Sequence, residues 1–207
     1  MGALSGGDHH ELVLARHGET EWSLSGQHTG STDIPLTANG RRQAEALVAP
    51  LGRWKFAEVL TSPLIRARET CRLAGLGDQA EICDDLLEWD YGDYEGLTTV
   101  QIREQRPGWT LFTGGVPNGE TAGQVAARAD RLIARALAAD GPVVAFAHGH
   151  ILRVVCARWL ELDANSASLF ALGPATVSVL GHERETRVIR CWNLSPGEMT
   201  SLPNSSG

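Results

Sequence analysis

The stretch Leu12-Val13-Leu14-Ala15-Arg16-His17-Gly18-Glu19-Thr20 decides how this chain of 207 residues is interpreted. A short apolar run ends abruptly in an arginine, a histidine and a glycine. That order predicts a buried strand that delivers Arg16 and His17 to the carboxyl end of an open α/β sheet, where such folds bind ligands. There a neutral imidazole can attack phosphorus, and a guanidinium can hold phosphate oxygens in a planar fork. We expect Gly18 to let the backbone turn tightly, so that the imidazole faces the pocket.

The composition excludes several classes of protein. Hydrophobic residues make up 43% and charged residues 21% of the chain, as in ordinary globular proteins. The formal net charge of −7 argues against a nucleic-acid partner or an anionic membrane surface. Lys55 is the single lysine, which excludes a P-loop and argues against Schiff-base chemistry. The four cysteines form no Cys-x-x-Cys pair, no apolar run is long enough to span a membrane and no secretion signal is seen, so we expect a cytoplasmic protein.

Strand-like and helical segments alternate along the chain. Strands are predicted at 11–15, 58–61, 81–83, 143–147, 176–180 and 187–192, and helices at 37–51, 63–73, 98–105, 121–139 and 151–160. This alternation predicts an α/β fold, a three-layer αβα sandwich with a mostly parallel sheet. The last two strands are only a few residues apart, which predicts a hairpin with one antiparallel edge strand. We expect a single domain over residues 10–194 and flexible termini at 1–9 and 195–207.

Two further strands are followed by polar residues of the same kind. Residues 58–61 precede Ser62-Pro63-Leu64-Ile65-Arg66, a turn that starts a helix, and Arg66 can supply a second guanidinium one turn inside that helix. Residues 143–147 precede His148-Gly149-His150, so another strand delivers a histidine followed by a glycine. An alternative interpretation treats His148 and His150 as a metal pair, although no Asp-His pair follows closely to complete such a site.

The segment Glu88-Trp89-Asp90-Tyr91-Gly92-Asp93-Tyr94-Glu95-Gly96 interleaves acidic residues with three aromatic residues. This composition is unusual for a solvated loop. Cleavage of a phosphate ester needs a proton for the leaving oxygen, and we expect a shielded acid in this segment to supply it.

In this order, the four motifs resemble those of the histidine phosphatase (phosphoglycerate mutase-like) superfamily. The similarity runs from about Leu12 to Trp192 and implies the phosphoglycerate mutase-like fold. It also implies a role for each matching residue: His17 is the phosphorylated nucleophile, Arg16 and Arg66 hold the phosphate, His148 stabilises the equatorial oxygens as a cation or hydrogen-bond donor, and Glu88 is the acid and base.

The resemblance also implies a set of substrate-binding residues. Ser23 stands where the family usually has an asparagine, and its hydroxyl can donate to a phosphate oxygen. Thr29 and Gly30 match a phosphate loop that acts mainly through backbone amides. Glu120, in Asn118-Gly119-Glu120-Thr121, can face substrate hydroxyls. The remaining predicted contacts lie in the matched motifs and are Tyr91, Gly149 and His150.

These roles imply a two-step phosphoryl transfer. Neutral His17 attacks phosphorus, and Glu88, protonated at first, gives its proton to the leaving alkoxide. Glu88 then activates water against the phosphohistidine. We expect no metal and no cofactor, because arginines supply the positive charge, and an acidic to near-neutral pH optimum.

Three alternatives stay open. A cofactor-dependent phosphoglycerate mutase shares the motifs, but this chain has no lysine after Gly96 and only Arg103 and Arg106 before Gly115, so we favour hydrolysis. A catalytically silent phosphate-binding protein would keep the fold. A metal-dependent hydrolase would use His148 and His150.

The substrate prediction is coarser than the reaction. Three stretches resemble the sedoheptulose-1,7-bisphosphatase branch of the family, and chains of this kind also act as broad acid phosphatases. We therefore expect the partner to be a small phosphorylated metabolite, in particular a sugar (bis)phosphate, with neither nucleic acid nor a membrane as partner. A homodimer is a further expectation.

Overall fold

The structure of this protein is a computed structural model that describes residues 10–201. The predicted flexible residues 1–9 and 202–207 lie outside this range. The strands are β1 Leu12–Arg16, β2 Glu58–Thr61, β3 Ala80–Ile82, β4 Val143–Ala147, β5 Val177–Glu183 and β6 Thr186–Leu194. The α-helices are α1 Glu21–Ser25, α2 Ala38–Glu45, α3 Val48–Leu51, α4 Ile65–Leu73, α5 Thr99–Gln105, α6 Leu111–Gly114, α7 Ala122–Ala138, α8 Gly149–Trp159 and α9 Pro196–Ser201. Short 3₁₀ helices lie at Gly77–Gln79, Asp84–Leu86, Gly92–Tyr94 and Ala164–Leu169.

The strands form one sheet in the order β3-β2-β4-β1-β5-β6. The pairs β3–β2, β2–β4 and β4–β1 are parallel, whereas β5 pairs antiparallel with both β1 and β6. The fold class is therefore confirmed, with a mostly parallel sheet and an antiparallel hairpin at one edge. The strand that runs against the others is β5, second from that edge.

Helices cover both faces of the sheet, because the central strands are apolar on both sides. Alternate residues of a strand point to opposite faces, so Leu12 and Leu14 join one core while Val13 and Ala15 join the other. The first core also contains the buried faces of α7 and α8, and the second contains residues of α4 and α9. This is the expected three-layer arrangement.

The parallel strands β2, β4 and β1 end side by side, and this places the site. The register pairs Arg16 with Ala147 and Thr61 with Phe146. The residues after two of these strands continue the ladder: the backbone N–H of His17 donates to Ala147, and that of Ser62 donates to Phe146, each over 2.9 Å. The first residues beyond three neighbouring strands therefore meet at one edge of the sheet.

A helix is found in each of the five predicted regions, but the bounds differ and the described residues contain further helices. The helices expected at 98–105 and 121–139 are present, and Thr98 and Thr121 each form a capping box at the first turn. The helix expected at 37–51 is wrong as a single element and is split into α2 and α3. Pro50 has no N–H to donate to Ala46, four residues earlier, so the hydrogen-bond ladder breaks there.

Other differences concern short or terminal helices. The helices α1 and α6 were not expected, and α8 begins at Gly149 rather than at residue 151. The expectation of a flexible terminus from residue 195 is wrong for α9, because Met199 is buried in the second core at 3% exposure. The single-domain boundary at 10–194 stays a prediction. None of the helices within residues 10–201 is long and apolar enough to cross a membrane.

Candidate active site

His17 lies at the end of β1 as a nearly buried, neutral imidazole. Its side chain is 5% exposed, and its Nδ1 lies 2.7 Å from the carbonyl oxygen of Gly18. A carbonyl can only accept, so Nδ1 carries the ring proton. Burial, together with the charges of Arg16 and Arg66, holds the pKa of His17 well below its usual value. Its Nε2 therefore keeps a free electron pair, which is the form a nucleophile needs.

His148 lies next to this ring as a second neutral imidazole. The two ring centroids are 5.2 Å apart, and His148 is fully buried. Its Nδ1 accepts a hydrogen bond from Nε of Arg66 at 3.0 Å, so the ring proton is on Nε2, which lies 2.8 Å from the hydroxyl of Ser62. Burial and the Arg66 charge hold the pKa of His148 well below its usual value. Of the two roles the sequence allows, the structure supports the neutral hydrogen-bond donor.

Arg66 is placed in the site but is bound mostly to the protein. Besides His148, its guanidinium donates to the carbonyl oxygens of Thr29, Gly30 and Thr32 at 2.9–3.0 Å. Four hydrogen bonds thus engage a fully buried side chain that has five N–H groups. Arg66 holds the loop and the second histidine in place in addition to adding positive charge.

Arg16 has a buried N–H group that is not hydrogen-bonded within the described residues. Its Nη1 donates to the carbonyl oxygen of Leu172. Among the described residues, its Nε–H is buried and has no hydrogen-bond acceptor. A buried donor without an acceptor costs about 1–3 kcal/mol. Gly149 lies beside this guanidinium, and a Cβ atom there would meet the guanidinium carbon of Arg16 at 3.4 Å, an ordinary van der Waals contact. The Nε–H of Arg16 is therefore available to an oxyanion.

Glu88 is held as a carboxylate at the amino end of α8. Its oxygens accept three backbone N–H groups, from Trp89 and Ile151 at 2.9 Å and from His150 at 3.0 Å. Burial alone would raise the pKa of Glu88, but the hydrogen bonds and positive charge at His150 outweigh it and hold this pKa well below its usual value. The expectation that Glu88 starts out protonated is therefore wrong for the free protein. Its proton must arrive with the substrate.

The mouth of the site is lined by rings on the side of Glu88. The hydroxyl of Tyr91 lies 2.6 Å from Nδ1 of His150, and that Nδ1 lies 3.8 Å from the Glu88 carboxylate. Burial and the Glu88 charge raise the pKa of Tyr91 well above its usual value, so its hydroxyl stays neutral. The rings of His28 and Phe112 lie 6.1 and 5.7 Å from His150. Tyr91 and His150 thus lie where the sequence predicts them.

The loop at Thr29 and Gly30 differs from the prediction. The Gly30 N–H donates to both carboxylate oxygens of Glu95 at 2.9 Å, and the Thr32 N–H donates to the same carboxylate at 3.1 Å. These amides are occupied, so a direct phosphate contact by the Gly30 amide is wrong for this structure. The Thr29 hydroxyl donates to Gln27 at 3.2 Å. The loop acts instead through its carbonyl groups, which bind Arg66.

Ser23 and Glu120 also have roles other than those predicted. The single hydroxyl proton of Ser23 is donated to the carbonyl of Thr20 at 2.8 Å, within the capping box of α1. Glu120 forms a two-pronged ion pair with Arg128, and its carboxylate also accepts the Asp90 N–H at 3.0 Å. Both groups are engaged in local hydrogen bonds in this structure, and their contact with a substrate stays a prediction.

Gly18 is needed for a reason other than the tight turn expected from sequence. Its φ is not among the positive values in residues 10–201. A Cβ atom at Gly18 would lie 2.4 Å from the carbonyl oxygen of Gly40, in α2. The glycine therefore permits close packing of two backbones beside His17.

Sequence reasoning missed several residues that surround the site. Arg153 follows His150 by three residues on α8, and its guanidinium carbon lies 5.0 Å from the centre of the Phe112 ring. Helical spacing could have found it. Ser62 and Glu95 stand inside quoted motifs but had no assigned role. Arg128, which contacts the Glu88 loop, carries no sequence signal at all.

The metal alternative gains no support from the geometry of the histidines. Both ring nitrogens of His148 are in hydrogen bonds with Arg66 and Ser62. Within residues 10–201, no group of three or more His, Cys, Asp or Glu side chains is arranged to hold a metal ion.

The comparisons with known proteins agree with this site. The model of the histidine phosphatase superfamily (branch 1) matches residues 12–195. An acid phosphatase from Mycobacterium tuberculosis is 43% identical over 190 residues, covering 90% of this chain and 93% of the relative. A sedoheptulose 1,7-bisphosphatase from Saccharomyces cerevisiae is 38% identical over 185 residues, covering 72% of this chain and 67% of the relative.

Other relatives show the breadth of the family. A 2,3-bisphosphoglycerate-dependent phosphoglycerate mutase from Sinorhizobium fredii is 37% identical over 160 residues, covering 69% of this chain and 75% of the relative. The solved structure of an open reading frame product from Mycobacterium tuberculosis superposes with a TM-score of 0.86 at 42% identity, covering 90% of this chain and 98% of that chain. The chain therefore belongs to branch 1 of the histidine phosphatase superfamily and is a phosphatase.

Proposed function

We propose that this protein hydrolyses phosphate monoesters of small sugar-like metabolites through a phosphohistidine at His17, without a metal ion or cofactor. The observation that carries the proposal is the Arg16 Nε–H, a buried donor among the described residues that has no acceptor and lies beside a neutral imidazole. Natural proteins rarely leave such a donor unsatisfied unless a ligand or water completes it.

In the first step, Nε2 of His17 attacks phosphorus. The bond between nitrogen and phosphorus forms, and the bond from phosphorus to the leaving oxygen breaks. Arg16, Arg66 and the Nε2–H of His148 stabilise negative charge on the transferring group, because they are preorganised and shielded from water. The leaving alkoxide takes a proton from Glu88.

The source of that proton follows from the electrostatics of Glu88. Its carboxylate is ionised in the free protein, whereas a phosphate monoester has a second pKa of about 6 and carries a proton below that pH. The substrate monoanion brings the proton, and Glu88 passes it to the leaving oxygen.

In the second step, water attacks the phosphohistidine. The Glu88 carboxylate takes a proton from the water, the new oxygen–phosphorus bond forms, and His17 leaves with its electron pair. Glu88 gives this proton to the inorganic phosphate as it is released, so Glu88 returns to its carboxylate form and His17 to its neutral form.

Hydrolysis is favoured over a mutase reaction by the residues near the mouth. A mutase must hold a carboxylate-bearing intermediate for the return transfer, which needs extra cations. The single lysine of the chain, Lys55, lies between α3 and β2 rather than after the Glu88 segment. Arg103 and Arg106 donate to carbonyl groups and to Tyr94. These cations bind the protein itself.

The substrate class follows from the relatives and the mouth. The named activities of two relatives are those of an acid phosphatase and a sugar bisphosphatase. In this chain, rings of His28, Tyr91 and His150 line the leaving-group side together with the guanidinium of Arg153. This combination suits a polar, hydroxylated leaving group that carries negative charge. The cytoplasmic location and the homodimer stay predictions.

The decisive experiment follows labelled phosphate. Brief reaction with a ³²P-labelled sugar phosphate, followed by quenching, should trap label on the peptide that contains His17, and longer reaction should release it to water. We expect His17→Gln to lose both the label and turnover, and His182→Gln, a histidine on β5 away from the site, to keep both. Turnover retained in His17→Gln would overturn the proposal.

Two further measurements separate the alternatives. Transfer of label to 3-phosphoglycerate in preference to water would favour a mutase. Loss of turnover after treatment with a chelator, and its return with added metal, would favour a metal-dependent hydrolase.

A further inference from the structure

We infer that Arg128 is a positioning residue for the reaction, because it holds the backbone of the loop that carries Glu88. The inference rests on the proposed role of Glu88 as the acid and base. Arg128 lies on α7, 40 residues along the chain from Glu88, and its side chain is 12% exposed.

All five N–H groups of the Arg128 guanidinium are directed to acceptors within the protein. Its Nη1 donates to the carbonyl oxygens of Asp85 and Leu87, both at 2.9 Å. Its Nη2 donates to the carbonyl of Glu88 at 3.4 Å, and Nη2 and Nε bind the carboxylate of Glu120 at 2.8 and 2.9 Å. Five contacts match the five N–H groups of an arginine, so no donor is left for solvent.

Glu120, the ion-pair partner of Arg128, forms further hydrogen bonds to the same loop at Trp89 and Asp90. Its carboxylate accepts the Asp90 N–H at 3.0 Å, and its own backbone N–H donates to the Asp90 carbonyl at 3.0 Å. Its backbone carbonyl accepts the indole N–H of Trp89 at 2.9 Å. Arg128 and Glu120 together therefore hold the loop from residue 85 to residue 90.

The hydrogen bonds that Arg128 and Glu120 make to this loop also fix the position of the Glu88 carboxylate. The Glu88 carboxylate points to α8, where it accepts the N–H groups of His150 and Ile151. Arg128 contacts the carbonyl of the same residue and of the residue before it. The loop is thus fixed between α7 and α8, and the carboxyl oxygen cannot shift without breaking contacts on one of them. Proton transfer depends on distances within hydrogen-bond reach, so such a shift would reduce it.

A lysine cannot replace this arrangement. An ammonium group is a single point with three N–H donors, whereas the contacts of Arg128 diverge across a planar fork.

Arg131, one turn further along α7, provides a matched control. It also contacts the loop, but through the side chain of Asp85, and it is 59% exposed.

The test compares two substrates with different leaving groups. p-Nitrophenyl phosphate has a good leaving group that needs little help from an acid, whereas glycerol phosphate has a poor alkoxide leaving group. General acid catalysis contributes about 10²–10⁴-fold, so we expect Glu88→Gln to lose about that much kcat/KM on glycerol phosphate and far less on p-nitrophenyl phosphate. We expect Arg128→Met and Arg128→Lys to show the same selective loss, at least about tenfold on glycerol phosphate, since mispositioning the acid removes part of that contribution.

Inhibition by inorganic phosphate reports on the phosphate pocket. We expect the inhibition constant to stay unchanged in both Arg128 variants, and Arg131→Met to resemble the unmodified protein on both substrates. If Arg128→Met does not fold by circular dichroism, Arg128→Lys supplies the result. Equal losses on the two substrates would overturn the inference, because they indicate a general structural role. A selective loss in Arg131→Met equal to that in the Arg128 variants would also overturn it.

Glu88→Gln separates this inference from the proposed function. If that variant shows no leaving-group selectivity, the acid role of Glu88 fails and the inference fails with it. If Glu88→Gln is selective and both Arg128 variants are not, only the positioning role of Arg128 is overturned.

Discussion

Nε of Arg66 donates a hydrogen bond to Nδ1 of His148 over 3.0 Å, between residues 82 positions apart in the chain. This bond decides which nitrogen of His148 holds the proton. Arginine can only donate, so the imidazole must present Nε2–H on its other side. A neutral donor beside His17 stabilises an oxyanion without adding another full positive charge to a site that already contains two guanidinium groups.

Arg66→Lys should lower kcat/KM by about 10²–10³-fold, the loss typical of removing one preorganised oxyanion donor. Lysine cannot contact His148 and three loop carbonyls together, so the loop and the imidazole both lose their support. Steady-state kinetics on a sugar phosphate measures the effect. Arg68→Lys, at an exposed position on the same helix, is the control and should stay within about twofold of the unmodified protein. Near-normal activity in Arg66→Lys would contradict this account.

Gly18→Ala should lower the free energy of unfolding by about 1–3 kcal/mol, the usual cost of overpacking. The new Cβ atom would lie 2.4 Å from the carbonyl oxygen of Gly40, so β1 and α2 must separate. His17 is adjacent, and kcat should fall as well. Urea unfolding and kinetics measure the two effects.

Gly123→Ala is the matched glycine control. Position 123 is exposed in the first turn of α7, and the nearest atom to a new Cβ lies 3.9 Å away. Alanine favours a helix, so this variant should raise the free energy of unfolding by about 0.5–1 kcal/mol. A Gly18→Ala variant as stable as Gly123→Ala would show that the packing argument is wrong.

The free energy of unfolding should fall as the pH drops below about 6.5. The pKa values of His17 and His148 are held well below that of a free histidine, and burial, followed by the charge at His150, lowers the pKa of His28 to about 4. The unfolded chain therefore binds protons at a pH where the folded protein does not. The stability is fully present above pH 6.5 and is lost as the pH falls towards the folded pKa values.

His28→Gln checks the sign and the size of this effect. Each histidine contributes at most about 1.4 kcal/mol per pH unit, and this variant removes one contribution between pH 6.5 and about pH 4. Urea titrations at several pH values should therefore give a shallower slope than in the unmodified protein. An unchanged or steeper slope would show that His28 takes up its proton at the same pH in the folded and unfolded chain.

On the alkaline side, the fall of kcat/KM with pH should be set by the second pKa of the substrate's phosphate group. Glu88 is ionised in the free protein, so the productive pair needs a monoanionic ester. Above the second pKa of the ester, about 6, both partners lack the proton, and kcat/KM should fall about tenfold per pH unit. On the acidic side, His17 stays neutral well below pH 6.5 and activity persists. An ester with a lower phosphate pKa should shift the alkaline limb by the same amount, and a limb that stays in place would point to a titrating group of the protein.

The sequence alone determined the fold class and the core of the site, because both depend on signals within a few residues. Apolar strands that end in Arg16-His17 and His148-Gly149, and a Ser-Pro turn before Arg66, are local patterns. Parallel strands bring their carboxyl ends to one edge of the sheet. The approximate positions of the polar residues therefore followed as soon as the strands were recognised.

Only the tertiary structure decided the protonation states of the site residues and which other residues hold them in place. Both depend on contacts between distant parts of the chain. The Glu88 carboxylate is stabilised by an N–H group 63 residues away, and the Gly30 amide is taken by Glu95, 65 residues away. Neither partner is encoded by spacing. The same reason hid Arg128, whose guanidinium contacts three carbonyl groups of the Glu88 loop only after α7 packs against it. The local sequence determines which groups react, and long-range hydrogen bonds determine their protonation states and orientations.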